Sequence, residues 1–281
     1  NKIIFSNSNI KFGILLFIVG FTKKIFFADN IAEMIDPIFD EQSLTSNEDY
    51  VKGFLLFPLQ IYFDFSGYVD MALGVSKILN IDLPINFNKP YLSGSLTDFW
   101  RNWHITLSKW FKDYVYIPLG GSKFGNKKLL SNLLITMSVA GLWHGANMNF
   151  ILWGFLNGFF LFLEKKLTNV LNLNKYFKIF LTCFLVFNLW IIFRITDLNF
   201  LFHFYGNLYL NFLTIFTIEN LFILFLVFLT VLSQKFDNYE FIEKSSKKIT
   251  LLTLIPIFMI IILTGLAMKA GTSDKFIYFD F

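Results

Sequence analysis

"LLSNLLITMSVAGLWHGANMNFILWGFLNGFFLFL", residues 129–163, decides the fold class. It holds no Lys, Arg, Asp or Glu, and it divides into two apolar runs, 129–147 and 148–163, around a centre of small and polar residues. A helix needs roughly 17–25 apolar residues to cross a bilayer core. The first run reaches that length and the second falls one short of it, and joined by a tight centre they predict a helical hairpin at membrane depth, with its turn around Ala146 to Asn149. His144 is the only titratable residue in the stretch, in a chain with three histidines.

Outward from the hairpin the pattern repeats, with further apolar runs at 11–32, 50–79, 177–195, 199–217, 220–234 and 249–268. Hydrophobic residues make up 55% of the 281 and charged residues 16%, with a mean hydropathy of +0.57. A soluble domain carries roughly 25% charged residues. Backbone in lipid must satisfy its own hydrogen bonds, so the expected fold is all-α: a polytopic helical membrane protein with re-entrant or interfacial helices. Residues 1–281 read as a single transmembrane domain, the carboxy-terminal portion of a longer chain, with no signal peptide in the first eleven residues. One cysteine, Cys183, excludes an internal disulfide or a multi-cysteine metal site, and reads as a packing residue of an apolar helix.

Basic loops stay on the cytoplasmic side of a membrane. Lys123, Lys127 and Lys128 form one cluster, Lys165, Lys166, Lys175 and Lys178 a second, and Lys235, Lys244, Lys247 and Lys248 a third. A hairpin at 129–163 puts the first two clusters on one face and its turn on the other. A crossing at 177–195, an interfacial or re-entrant piece at 199–217 and a return at 220–234 bring the third cluster to the same face. Residues 269–281 then lie outside.

Ionisable groups at membrane depth are costly and mark pathways, pairs or sites. Besides His144 these are Asp64, Asp70, Arg101, His104, Arg194 and His203. Only Arg101 and Arg194 are arginines among 24 basic residues, which points to the planar fork that binds carboxylate, phosphate or backbone oxygen. Asp64 and Asp70, six apart, fall on different faces of a helix and are expected to be structural, Asp70 pairing with Lys77 or with a helix missing from this sequence. His203 is not expected to be catalytic. Residues 97–116 predict one amphipathic helix lying along the membrane. Trp100, Trp103, Leu107, Trp110 and Tyr114 make its aromatic face, and Arg101, His104 and Ser108 a neighbouring stripe. The small residues Ala140, Gly141, Gly145 and Ala146 suit close packing or ligand approach beside His144. There is no phosphate-binding loop, nucleophile elbow or zinc-binding His-Glu-x-x-His, and nothing that reads nucleic acid.

Three blocks carry a family resemblance: "QIYFDFSGYVDMALG" (60–74), "LPINFNKPYLSGSLTDFWRNWHITLSKWFKDYVYIPLGG" (83–121) and "GLWHGANMNFILWGFLNG" (141–158). They resemble the membrane-bound O-acyltransferase family, and more narrowly its alginate O-acetylase branch. "FTKKIFFADNIA" (21–32) and "FIYFDF" (276–281) are similar to that branch too, with Asp280 where the branch has Gln. The resemblance implies a tunnel from a cytosolic donor side to an outer acceptor side. It also implies His144 as the catalytic histidine with His104 as the second. Arg101, Trp143, Trp103, Ser108, Asn147 and Asp70 are the further candidates for binding substrate or shaping the site. It implies acetyl-CoA as acyl donor with no bound cofactor or metal, an envelope polysaccharide acceptor, a periplasmic acetyltransferase partner and residence in the bacterial inner membrane. Transfer from a thioester to a hydroxyl needs a base, and a histidine suits that work at neutral pH. His144 is then the base, and His104 with Arg101 would orient it or stabilise developing charge. A D-alanyl-type envelope acyltransferase and a transporter with a His144/His104 proton relay are the alternatives.

Overall fold

The computed structural model describes residues 6–40, 46–167 and 173–268. Among them every extended element is helical. The order is α1 (Asn7–Phe21), a π-helical turn (Thr22–Ala28), α2 (Asp29–Asp40), α3 (Asn47–Ile78), a 3-10 turn (Pro90–Leu92), α4 (Leu96–Asn102), α5 (Ile105–Phe111), a second π-helical turn (Lys112–Tyr116), α6 (Gly125–His144), α7 (Met148–Leu167), α8 (Lys175–Arg194), α9 (Leu198–Leu210), a 3-10 turn (Phe212–Phe216), α10 (Ile218–Ser233), α11 (Tyr239–Ser246) and α12 (Leu251–Met268). The 276–281 motif and the outer tail 269–281 lie outside the described residues.

The starts of these helices follow from local chemistry. Ser95, Asn174, Asp197 and Asn238 each accept a backbone N–H of the first turn they precede, satisfying donors that a helix leaves without an intrahelical partner. α8 and α12 are long and apolar enough to cross a membrane, and α10 is a shorter apolar helix. Leu252, Ile260 and Leu263 of α12 are largely exposed, as are Phe222, Phe225 and Phe228 of α10. Apolar faces this continuous mark contact with lipid or another protein rather than water. The segment 199–217 breaks at Asn211. α9, with 13 residues, is about 20 Å long, too short to cross, in keeping with an interfacial piece.

Contacts group the chain into two compact units. Of the described residues, the first holds 6–34, 59–88 and 232–268. Its spine is an antiparallel pair, α1 against the later part of α3, that meets backbone to backbone. A Cβ on Gly20 would lie 2.5 Å from the carbonyl oxygen of Gly67, and one on Gly13 would lie 2.5 Å from that of Gly74. Small residues at such positions let helices approach where no hydrophobic effect drives them together. Just beyond, the π turn presents two adjacent lysines to α3. Lys23 Nζ lies 2.6 Å from Asp70 and 2.6 Å from Asp237, and Lys24 Nζ 2.6 Å from Asp64 and 2.8 Å from Asp29. Tyr62 donates to Asp237 at 2.5 Å. Asp64 and Asp70 therefore serve separate buried ion pairs, as their different helix faces require. Lys77 is not the partner of Asp70, because it turns to the exposed carboxylate of Asp82 near the end of α3.

The second unit holds the described residues among 35–58 and 89–231. At its centre α6 and α7 form the expected antiparallel hairpin, with Gly141 against the Phe150 carbonyl, Gly154 against that of Met137 and Gly158 against that of Leu133. Polar residues inside the hairpin are buried and bonded. Thr136 donates to Asn132 O at 2.7 Å, Asn157 to Trp153 O at 2.8 Å and Asn132 to Gly121 O at 2.8 Å. α8 packs on α7, and its last residue, Arg194, reaches Asp40 at 2.9 Å and Asp36 at 3.4 Å, with Phe39 beneath the guanidinium at 5.1 Å. That ion pair accounts for one of the two arginines. Tyr50 bonds His203 Nε2 at 3.1 Å, a structural use of that histidine.

Candidate active site

His144 is the last residue of α6, where Gly145 ends the helix. Around its imidazole stand four aromatic rings. Trp153 meets it edge to face at 5.6 Å, Phe193 at 5.0 Å and Trp143 at 5.1 Å, while Phe150 lies tilted at 6.4 Å. The sequence builds this ring by periodicity. Phe150 and Trp153 are one turn apart on α7, Trp190 and Phe193 one turn apart on α8, and residues so spaced share a helix face. Asn149, fully buried, locks the two helices by donating to the carbonyls of Ile192 at 3.3 Å and Phe193 at 3.1 Å, near the end of α8.

From His144 the aromatic packing continues to the second histidine. Trp153 stacks on Trp190 at 6.0 Å, Trp190 lies 4.9 Å from Trp103, and Trp103 stacks on Phe99 at 5.6 Å. His104 follows Trp103, and both histidines are half-buried and close enough to interact electrostatically.

Residues 97–116 depart from the single amphipathic helix that their spacing predicts. α4 ends at Asn102, Trp103 is extended at φ −109°, and His104 takes left-handed backbone angles, φ 42° and ψ 57°, before α5 begins. Periodicity cannot register such a break, because one residue in the left-handed region redirects the whole next helix. The aromatic stripe is accordingly cut in two: Trp103 is 1% exposed, whereas Trp110 is 50% and Tyr114 68% exposed. Ser108 ties the break together, donating to Trp103 O at 3.1 Å. α4 itself is held from α7. Glu164 accepts from the backbone N–H groups of Leu96 and Thr97 and from the Thr97 hydroxyl, the last at 2.6 Å, and Trp100 donates to Asn157 at 3.1 Å.

The other expected site residues fall into distinct places. Trp143 and Asn147 are exposed at the hairpin turn, next to His144 in the chain. Arg101 is exposed and pairs with Asp98 one turn back at 3.0 Å, while Trp103 is core. Asp70 belongs to the other unit, in its buried ion pair. The glycines beside His144 do not provide open space: a Cβ on Gly145 would lie 2.7 Å from the Phe150 ring, and Gly141 abuts the Phe150 backbone. Their smallness serves helix packing. Asn149, Asn157, Glu164 and the aromatic pairs of α7 and α8 were not marked out in advance. Residues one turn apart on two different helices are linked only by folding. Among the described residues, no three His, Cys, Asp or Glu side chains come together as a metal ion would require.

A helical membrane protein is defined here, with two histidines drawn to one aromatic cluster. The family model for MBOAT, membrane-bound O-acyltransferase, matches residues 4–205, which include both histidines, and the chain belongs to that family. It is 42% identical over 200 residues to the Pseudomonas putida protein named "Probable alginate O-acetylase AlgI", covering 70% of this chain and 41% of that one. It is 46% identical over 150 residues to a peptidoglycan O-acetyltransferase of Helicobacter pylori, covering 53% and 28%. A more distant relative is a teichoic acid D-alanyltransferase of Streptococcus thermophilus, 36% identical over 156 residues, covering 50% and 36%. The chain thus spans about two-fifths or less of the length of these relatives.

Proposed function

We propose that the protein is a multi-pass enzyme of the bacterial inner membrane that moves an acetyl group from cytosolic acetyl-CoA toward a cell-envelope polysaccharide. The observation that carries the reading is the aromatic cluster that packs around His144 and runs through Trp153 and Trp190 to Trp103, the residue before His104, in a family whose members transfer acyl groups.

The chemistry runs as follows. The imidazole of His144 takes the proton of the attacking hydroxyl as its oxygen bonds to the thioester carbonyl carbon. Collapse breaks the carbon–sulfur bond, and the proton passes from the imidazolium to the departing thiolate of coenzyme A. The aromatic rings around His144 exclude water that would hydrolyse the thioester. His104 holds developing charge or orients His144. The acceptor is an alginate- or peptidoglycan-like glycan, reached directly or through a periplasmic acetyltransferase partner, in keeping with the names of the relatives at 42% and 46% identity.

Membranes carrying the protein, supplied with labelled acetyl-CoA, are expected to pass label to polysaccharide or to a partner protein. His144→Ala is expected to lower the rate by about 10²-fold or more while the protein remains folded by detergent size-exclusion. Normal transfer by a folded His144→Ala protein sinks the assignment. Label taken from a D-alanyl donor instead selects the D-alanylation reading, and proton flux without acetyl-CoA selects the transporter.

A further inference from the structure

Between the site and the hairpin, residues 109–128 carry five lysines, Lys109, Lys112, Lys123, Lys127 and Lys128, against one acid, Asp113. Their net +4 equals the formal charge of the whole chain. All five lysines are exposed, and among the described residues none of them is in an ion pair, unlike Lys23, Lys24, Lys52 and Lys77. Interleaved with them stand large apolar side chains that the described residues do not cover: Trp110 is 50% exposed, Tyr114 68%, Ile117 54% and Phe124 69%. Trp110 meets the buried Phe111 edge to face at 5.1 Å and Tyr114 at 5.4 Å, with half of its own surface left exposed.

The fold holds this segment in place. Gly120, Gly121 and Gly125 have φ of 105°, 57° and 77°, which turn the chain between the π turn and α6. The buried Asn132 of α6 holds the carbonyl of Gly121 at 2.8 Å. Unpaired cations and uncovered aromatic rings on one ordered segment do not stabilise a fold in water. They match an anionic membrane surface, where lysines meet phosphates and Trp and Tyr sit at headgroup depth.

We infer that residues 109–128 form a docking surface for anionic phospholipid headgroups. The lysines meet the headgroup phosphates, and Trp110, Tyr114, Ile117 and Phe124 enter the headgroup layer between them. A free phosphate compound offers the same anionic group, but a soluble ligand needs convergent donors. Here the lysines are spread along twenty residues with apolar side chains among them. The inference does not rest on acyl transfer.

The test uses the whole chain reconstituted in phosphatidylcholine vesicles, with brominated phosphatidylglycerol or brominated phosphatidylcholine as quencher at matched mole fraction. Quenching of Trp110 is read as the difference between the unaltered protein and Trp110→Phe. Brominated phosphatidylglycerol is expected to quench several-fold more than brominated phosphatidylcholine, since each lysine near an anionic surface favours association by about fivefold. The excess is expected to fall as NaCl is raised from about 0.05 to 0.5 M. It should vanish when the five lysines are changed to Gln, and persist when Lys244, Lys247 and Lys248 are changed instead. Equal quenching by the two lipids, or an excess that survives the five changes, overturns the inference. So does abolition of the excess by inorganic phosphate at an ionic strength where NaCl leaves it intact, which assigns the lysines to a free anion. The lipid, salt and phosphate arms need only the unaltered protein and Trp110→Phe, so they decide the matter even where the fivefold variant does not insert.

Discussion

His104 occupies backbone angles that cost a residue with a Cβ about 1–2 kcal/mol, though His, Asn and Asp enter that region more readily than other side chains. Strain kept at a half-buried histidine beside a catalytic candidate suggests that the break is needed to aim the imidazole. Backbone and imidazole can be separated, because Gly and Asn accept the same angles without an imidazole. His104→Asn and His104→Gly are expected to keep the thermal midpoint in detergent within a few degrees of the unaltered protein, yet to lose about tenfold or more in acetyl transfer. His104→Ala is expected to lose both stability and transfer. Should His104→Asn transfer at the full rate, the imidazole has no part in the chemistry and the residue serves only the turn. Sequence reasoning found this histidine and His144 through their cost at membrane depth. It did not find the left-handed angle, which hydrophobic spacing does not encode. Nor did it find that Gly141 and Gly145 are filled by Phe150, since a small residue beside a histidine reads the same whether a ligand or a neighbouring helix occupies the space.

At the scale of elements, the two hairpin-like pairs share one device. α1 meets α3 at Gly13/Gly74 and Gly20/Gly67, and α6 meets α7 at Gly141, Gly154 and Gly158, each with a backbone atom where a Cβ would stand. Apolar runs marked α3, α6 and α7, whereas the run at 11–32 is divided among α1, the π turn and α2; the partners of these helices were not legible, because pairing depends on which glycines face each other across a turn or a longer interval. The same holds for the lysines of the π turn: Asp64 and Asp70 stood out as buried acids, while Lys23 and Lys24, forty or more residues away, did not stand out as their counter-ions. Interlocked glycines make a sharp test. A Cβ on Gly67 would lie 2.7 Å from Gly20 O and 3.1 Å from Lys23 Cβ, whereas nothing lies within 4 Å of one on Gly206 in α9. Gly67→Ala is therefore expected to destabilise by about 1–3 kcal/mol. Gly206→Ala is expected to be neutral or to stabilise by up to about 1 kcal/mol through helix propensity. Thermal unfolding in detergent reads both. A Gly67→Ala protein that melts with the unaltered one would mean that α1 and α3 do not meet at this depth.

The whole molecule turns on which face of the membrane each loop occupies. α6 and α7 run antiparallel with a three-residue connection, so Lys127 and Lys128 share one end of the hairpin with Lys165 and Lys166, and Asn147 stands at the other. α6 has 20 residues, about 30 Å long, which matches the thickness of a hydrocarbon core. Basic residues favour the cytoplasm, so His144 is expected toward the outer leaflet, at the end where the proposed envelope acceptor would arrive. On the proposed function, a donor from the cytosol would then have to cross much of the bilayer's thickness to meet it. The lone cysteine makes this topology measurable. In a Cys183→Ser background, Lys127→Cys, Lys165→Cys and Lys247→Cys are expected to react with an impermeant maleimide in inverted membrane vesicles and to resist it in spheroplasts. Asn147→Cys is expected to do the reverse. Reaction of Asn147→Cys from the cytoplasmic side would place His144 near the donor entrance, and the direction of transfer drawn from the lysines would have to be inverted.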